Sequence, residues 1–409
     1  MGGTAVRRTV VALAFGAALL CGAGSVLLGT CGPFTDTAND VFCPFVLEIF
    51  YVGITTGTTP TTYDPSGNVT RLQMSAFLSR GVGAALRRGS RAAALGRFWR
   101  DTGQLAVTTV GAQPFFARSD GADVWVGNHL GFSVSRVRVS DGKLLENWSV
   151  GTPPTGIVVA MGRVVVASDL TPNARLYSID PSLPAGAATT VATNLGPAVQ
   201  SLTFDGASFW SANFGIPPGP GGGSVSRITP GAPPWTVTTI TSGFSNPDGI
   251  EYDGSNVWVT DVTAGTLLRL AGTGAVLQTV TVQNSPAMLV FDGANLWVPN
   301  AGSNSISVVR ASTGSVLATL TGNGLNAPFA AAFNGEVVAV TNVLGSASVS
   351  AWNAQNLAPL GTISLTFGPE LAAPAQSSSG AHGICSTGDG RFAAMDDIVD
   401  VMRWFGFPI

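Results

Sequence analysis

The chain has 409 residues, room for a sizeable core and more than one domain. Only 11% of the residues are charged and 45% are hydrophobic, which excludes an intrinsically disordered chain. A net charge of -3, with Lys143 the single lysine among the basic residues, excludes the basic surface that nucleic acid demands.

Residues 1–30 read as a signal peptide or membrane anchor. Arg7 and Arg8 precede an apolar stretch from Thr9 to about Leu28, with small residues near its end. The stretch is long enough to remain uncleaved as an anchor, and membrane contact is expected only there. Leu20 precedes Cys21 where a lipoprotein signal needs a small residue, so lipidation is not expected. The expected location is secreted or in a bacterial cell envelope. Cys31 and Cys43 then lie close together in an oxidising compartment and are expected to form a disulfide. Cys385 is read as a buried free thiol, and no cysteine spacing fits a zinc site.

Residues 31–82 read as helix, loop, helix. Val46, Ile49 and Phe50 form one apolar face; Leu72, Phe77 and Leu78 form another, and Thr70 is placed to cap the second helix. Phe34, the Gly53-Ile54…Gly57 turn, Tyr63, Pro65 and Val69-Thr70-Arg71 resemble a single S-layer homology module. The resemblance implies binding of an anionic cell-wall polymer through Arg71. Gln73 stands where that family carries an acidic residue, so a packing or docking role is equally open. Residues 83–101 follow as an Arg-rich linker helix, read as solvated.

Residues 102–409 are repetitive. FDGANLWVPN from Phe291 recurs as YDGSNVWVTD from Tyr252 and FDGASFWSAN from Phe204, with weaker copies elsewhere. The turn glycines are Gly121, Gly162, Gly206, Gly254, Gly293, Gly335 and Gly390. Seven residues beyond each comes Asn128, Asp169, Asn213, Asp261, Asn300, Asn342 or Asp397, read as turn caps. Four residues beyond comes Trp125, Trp210, Trp258 or Trp297, read as packing between units. Seven units of four short strands predict a mainly β, seven-bladed β-propeller with a small N-terminal helical module. The last unit lacks a fourth strand, and residues 103–111 match that strand's pattern. They are expected to pair with Val399–Trp404 and close the ring. WVTD from Trp258 and WVPN from Trp297 resemble bacterial cell-surface propellers with a Tyr-Val-Thr-Asn signature and streptogramin lyase-like propellers.

Propellers line their central channel with the start of each unit's first strand, marked here in several units by Pro plus one residue. The lining positions are Phe115, Thr155, Ala198, Asp248, Ala287, Phe329 and His382. His382 and Asp248 are the titratable candidates, and Phe115 and Phe329 the aromatic ones. The lyase resemblance implies two histidines and a glutamate around magnesium. The only histidines are His129, read as exposed, and His382, and no Glu stands two positions before either. Asp396, Asp397 and Asp400 lack the EF-hand pattern for calcium. No catalytic residue, cofactor or metal is expected. The expected function is binding of a protein, glycan or cell-wall polymer; the alternative is a lyase- or lactonase-type enzyme at the channel mouth.

Overall fold

Each repeat alternates β-branched and small residues over five to seven positions and then breaks at a Gly-bearing turn, a pattern that favours short antiparallel strands. The computed structural model describes residues 33–37, 43–51, 55, 58–59, 61–69, 74, 103–169, 174–215, 222–345, 347–365, 381–388, 390–396 and 399–407. The chain divides into two compact units, Met1–Trp99 and Arg100–Ile409.

The second unit is a seven-bladed β-propeller of four-stranded antiparallel blades. Blade 1 runs from Pro114–Ser119 to Leu144–Ser149, and blade 2 from Pro154–Ala160 to Thr189–Leu195. Blade 3 runs from Val199–Phe204 to Thr236–Ile240, and blade 4 from Pro247–Tyr252 to Val276–Thr281. Blade 5 runs from Val290–Phe291 to Ser315–Thr321, and blade 6 from Pro328–Phe333 to Pro359–Ser364. Blade 7 holds Ala381–Ser386, Phe392–Asp396 and Val401–Gly406, and takes Gly103–Thr109 as its outermost strand. That closing pair runs from Gly103 opposite Gly406 to Thr109 opposite Val401, as the repeat count predicted.

Side chains latch the closure. Asp400 Oδ1 accepts from the Gln113 N–H at 2.6 Å, and the Trp404 indole N–H donates to Thr108 Oγ1 at 3.0 Å. Asp396, buried, pairs with Arg403 Nε at 3.0 Å. These two carboxylates of the calcium-like trio are thus engaged by the protein itself.

The tryptophans pack between blades. Trp125 lies among Ile157, Val164 and Val166 of blade 2, and Trp297 among Ala331, Val338 and Val340 of blade 6. Burying an indole leaves its N–H needing an acceptor. The aspartate of the Asp-Gly turn, five residues earlier, supplies it. Asp120, Asp205, Asp253 and Asp292 accept from Trp125, Trp210, Trp258 and Trp297 at 2.7–2.9 Å. The other carboxylate oxygen accepts two backbone N–H groups of the turn, as Asp292 does from Ala294 and Asn295. Burial pushes the Asp120 carboxyl up, but the Trp125 N–H and the backbone donors outweigh it and hold the group below its usual value.

The asparagines that end the second strands bridge to the third. The Nδ2 groups of Asn128, Asn213, Asn300 and Asn342 each donate to two serine hydroxyls of a Ser-x-Ser start, as Asn213 does to Ser224 and Ser226 at 3.1 and 3.0 Å. In blades 2 and 7 the spacing count misses by one. Ser168 and Asp396, not Asp169 and Asp397, stand at this register. Blade 7 replaces the Asn–Ser pair with the Asp396–Arg403 ion pair.

In the N-terminal unit the helix Cys43–Tyr51 packs Val46 on Phe34, which also meets Phe50 at 5.1 Å and Tyr63 at 5.7 Å between ring centroids. Cys43 is disulfide-bonded. Cys31, Thr70 and Arg71, with most of the second predicted helix, lie outside the described residues.

Candidate functional site at the channel mouth

Every blade carries one extra residue at the same place in its innermost strand. Pro114 faces Asn128 and Phe116 faces Gly127, so Phe115 has no ladder partner. The same break follows Pro154, Val199, Pro247, Pro328 and Ala381, and in blade 5 it follows the Pro286–Asn300 bridge. Such a bulge re-aims the side chain at the break. The equivalent residues are Phe115, Thr155, Gln200, Asp248, Ala287, Phe329 and His382.

Blade 3 corrects the sequence reading. Gln200, not Ala198, occupies the ring position, because Val199 and not Pro197 faces the second strand. Ala198 takes a left-handed conformation, φ 56°, in the preceding turn.

The ring is asymmetric. Adjacent blades 6, 7 and 1 present Phe329, His382 and Phe115. The His382 ring stacks on Phe115 at 4.4 Å and 25°, and meets the Phe329 ring edge-on at 5.6 Å. Phe115 and Phe329 are 6.2 Å apart. His129 also approaches Phe115, at 6.1 Å, and its Nδ1 lies 3.3 Å from the Pro154 carbonyl. His129 is therefore partly buried rather than exposed, and both histidines of the chain flank one phenylalanine. Its place after a second strand contained no signal for that convergence. Blades 2 to 5 present Thr155, Gln200, Asp248 and Ala287. Asp248 is 6% exposed, and burial pushes its carboxyl up to about 7.

Threonines fix the ring backbone. Thr341 Oγ1 accepts from Ala330 N–H at 3.1 Å and donates to the His382 carbonyl at 2.8 Å. Thr260 Oγ1 accepts from Gly249 N–H at 2.8 Å and donates to the Ala287 carbonyl at 3.0 Å. Each links a bulge to the ring residue of the next blade.

Ile157, Leu202, Ile250, Leu289 and Ile384 line a cavity of about 30 Å³, room for about two waters at ~15 Å³ each. Arg118 of blade 1 reaches Glu251 of blade 4 at 3.8 Å. Burial pushes Glu251 up, and Arg118 opposes that. Cys385, a buried free thiol, is pushed up to about 12 by burial, which favours the protonated thiol near neutral pH. Among the described residues no three His, Cys, Asp or Glu side chains converge to hold a metal ion.

No described protein family matches the chain, and no curated protein does. Solved structures share its fold. A streptogramin B lyase structure superposes with a TM-score of 0.59 at 15% identity, over 75% of this chain and 97% of that one. Virginiamycin B lyase from Staphylococcus aureus gives 0.57 at 16%, over 73% and 98%. The WD40 β-propeller domain of Doa1 gives 0.58 at 13%, over 75% and 97%. At such identities the likeness concerns the fold alone, and it spans lyases and a WD40 domain equally.

Proposed function

We propose that this is a secreted or cell-envelope propeller that binds a protein or glycan without transforming it. The observation that carries the reading is the asymmetric mouth. Three adjacent blades offer half-buried aromatic rings, and the channel beneath has no room for a small-molecule substrate. A ligand can rest on such a patch but has nowhere to descend. Export would rest on the Arg7-Arg8 signal, and attachment to wall polymer on Arg71 of the S-layer homology-like stretch.

One observation favours the enzyme alternative: Asp248 is poised to exchange a proton near neutral pH, as a general base requires. Asp248 and His382 belong to blades 4 and 7, and no hydrogen bond joins them, so neither orients the other. Assays against cyclic depsipeptides and lactones, with magnesium or calcium, decide between the readings. No turnover is expected. Turnover that disappears in His382→Ala would overturn the binding reading.

A further inference from the structure

Connections between third and fourth strands are short in most blades. Four residues suffice in blade 5 and five in blades 1, 4 and 6. Blade 2 uses nine, 180–188, and blade 3 uses six, 230–235. Both longer segments fold over the same place. Between them lies a cleft of about 340 Å³, an order of magnitude larger than the channel cavity. That lies in the range small-molecule sites occupy, roughly 300–1,000 Å³.

The walls of the cleft are chemically mixed. One face of Trp235 stacks on Phe209 at 5.4 Å and 13°, and the half-buried ring still lines the cleft. The Trp235 indole N–H is already used, donating to the Gly231 carbonyl at 2.9 Å, which fixes the ring. Trp148 forms part of the opposite wall. Its buried indole N–H has no acceptor among the described residues. At the rim, Arg163 Nη1 and Asp180 Oδ2 are paired at 2.9 Å and Asp180 Oδ1 accepts from the Ser182 N–H and hydroxyl at 3.0 and 2.6 Å, which sets a fork of donors beside a carboxylate held in place with lone pairs to spare. Met161 and Leu183, 62% and 56% exposed, add apolar surface at the entrance.

We infer that the cleft between blades 2 and 3 binds a neutral saccharide, one pyranose ring lying on Trp235 with its hydroxyls on Arg163 and Asp180. A pyranose has an apolar C–H face and an equatorial rim of hydroxyls that both donate and accept. A fixed aromatic plane beside a mixed donor–acceptor pair matches both. Arg163 and Asp180 cancel in charge, so the cleft offers nothing extra to an anionic polymer. A peptide docking by its backbone would need a free strand edge. Here the Val191 carbonyl of the outermost blade 2 strand already accepts from the Trp235 N–H at 2.6 Å. The site therefore recognises by side chains. This inference deepens the binding reading above and rests on it.

The test is calorimetric titration of the full chain with a panel of neutral oligosaccharides, alongside an acidic polysaccharide and a proline-rich peptide. A neutral oligosaccharide is expected to bind. Affinity should fall at least tenfold in Trp235→Ala and in Arg163→Met, with Trp235→Phe restoring part of it. Arg163→Met keeps the Phe209 stack and guards against simple unfolding. Binding unchanged in Arg163→Met and Trp235→Ala but lost in Phe329→Ala would overturn the assignment and leave the binding reading standing at the mouth. Preference for the acidic polymer or the peptide overturns it too. No binding by anything in the panel sinks this inference, and the broader reading then falls only if a wider glycan and protein screen is equally blank.

Discussion

Asp248 sits in the ring with no hydrogen bond among the described residues, and burial alone raises its carboxyl to about 7. Its value in an unfolded chain is near 3.8. The folded state therefore holds the proton more tightly, and stability falls as pH rises between those values and levels off above the upper one. Three pKa units correspond to about 4 kcal/mol at most. Asp248→Asn removes the ionisation. The variant should match the wild type near pH 4 and exceed it by a few kcal/mol at pH 8, in urea melts. A difference that does not change with pH would refute the account. Beside the ring, Gly383 follows His382 with no room for a side chain, because an added Cβ would run into the Phe115 carbonyl of blade 1. Gly383→Ala should cost about 1–3 kcal/mol as the backbones part, and a urea midpoint equal to wild type would show the contact to be relaxed. The aromatic members of the ring were legible because Pro marks the start of a strand by fixing φ. In blade 3 that marker slips: Pro197 stands before a turn, and Val199 takes the register place. Proline position thus located five of the seven residues and misplaced Gln200, while the Gly-Ile that follows located His382.

The Asp-Gly hairpin is an element with two duties. Its carboxylate closes the turn with one oxygen and holds the indole of the second strand with the other. Asp292→Ala strips acceptors from a buried indole N–H and two backbone N–H groups, so a loss of about 1–3 kcal/mol is expected. Asp292→Asn keeps one oxygen for the two turn N–H groups but sets a donor NH2 against the indole N–H, so it should also lose stability; a variant as stable as wild type in chemical denaturation would disprove the dual role. The recurrence of Asp, Gly and Trp was plain in the sequence, and so was the packing role of Trp. The bond between Asp and Trp was not read, although a constant separation of five residues is its trace. The miscount at Asp169 and Asp397 has a physical cause. Blade 2 turns in two residues, Met161 and Gly162, both left-handed at φ 56° and 68°, instead of the longer Asp-Gly turn. In both blades the glycine stands one residue nearer the end of the second strand, and counting from a turn glycine presumes one turn length.

At the level of the whole molecule, stability depends on joining the two ends of one repeat array. Deleting residues 102–112 removes the outermost strand of blade 7, the Gln113–Asp400 latch geometry and the acceptor of Trp404. The loss should be several kcal/mol, on the order of 10 °C in Tm. A truncated chain melting with the intact one would mean that the closing strand is dispensable. Closure was readable because one end of the array lacked what the other end had in excess. The cleft between blades 2 and 3 was not readable. Loop lengths are visible in a sequence, but which two loops meet depends on the rotation between neighbouring blades.

The seven bulges have a consequence for how such a protein can change over generations. The residue at each bulge is a position of its innermost strand that the ladder does not use. Phe, Thr, Gln, Asp, Ala and His all occupy it in this chain while the four-stranded pattern around it repeats. Heredity can therefore rewrite these positions one letter at a time, blade by blade, while the strand ladder around each keeps its pairing. The same freedom is open in the laboratory. A combinatorial library confined to these seven codons would sample a large range of surfaces while leaving every strand pairing of the parent in place.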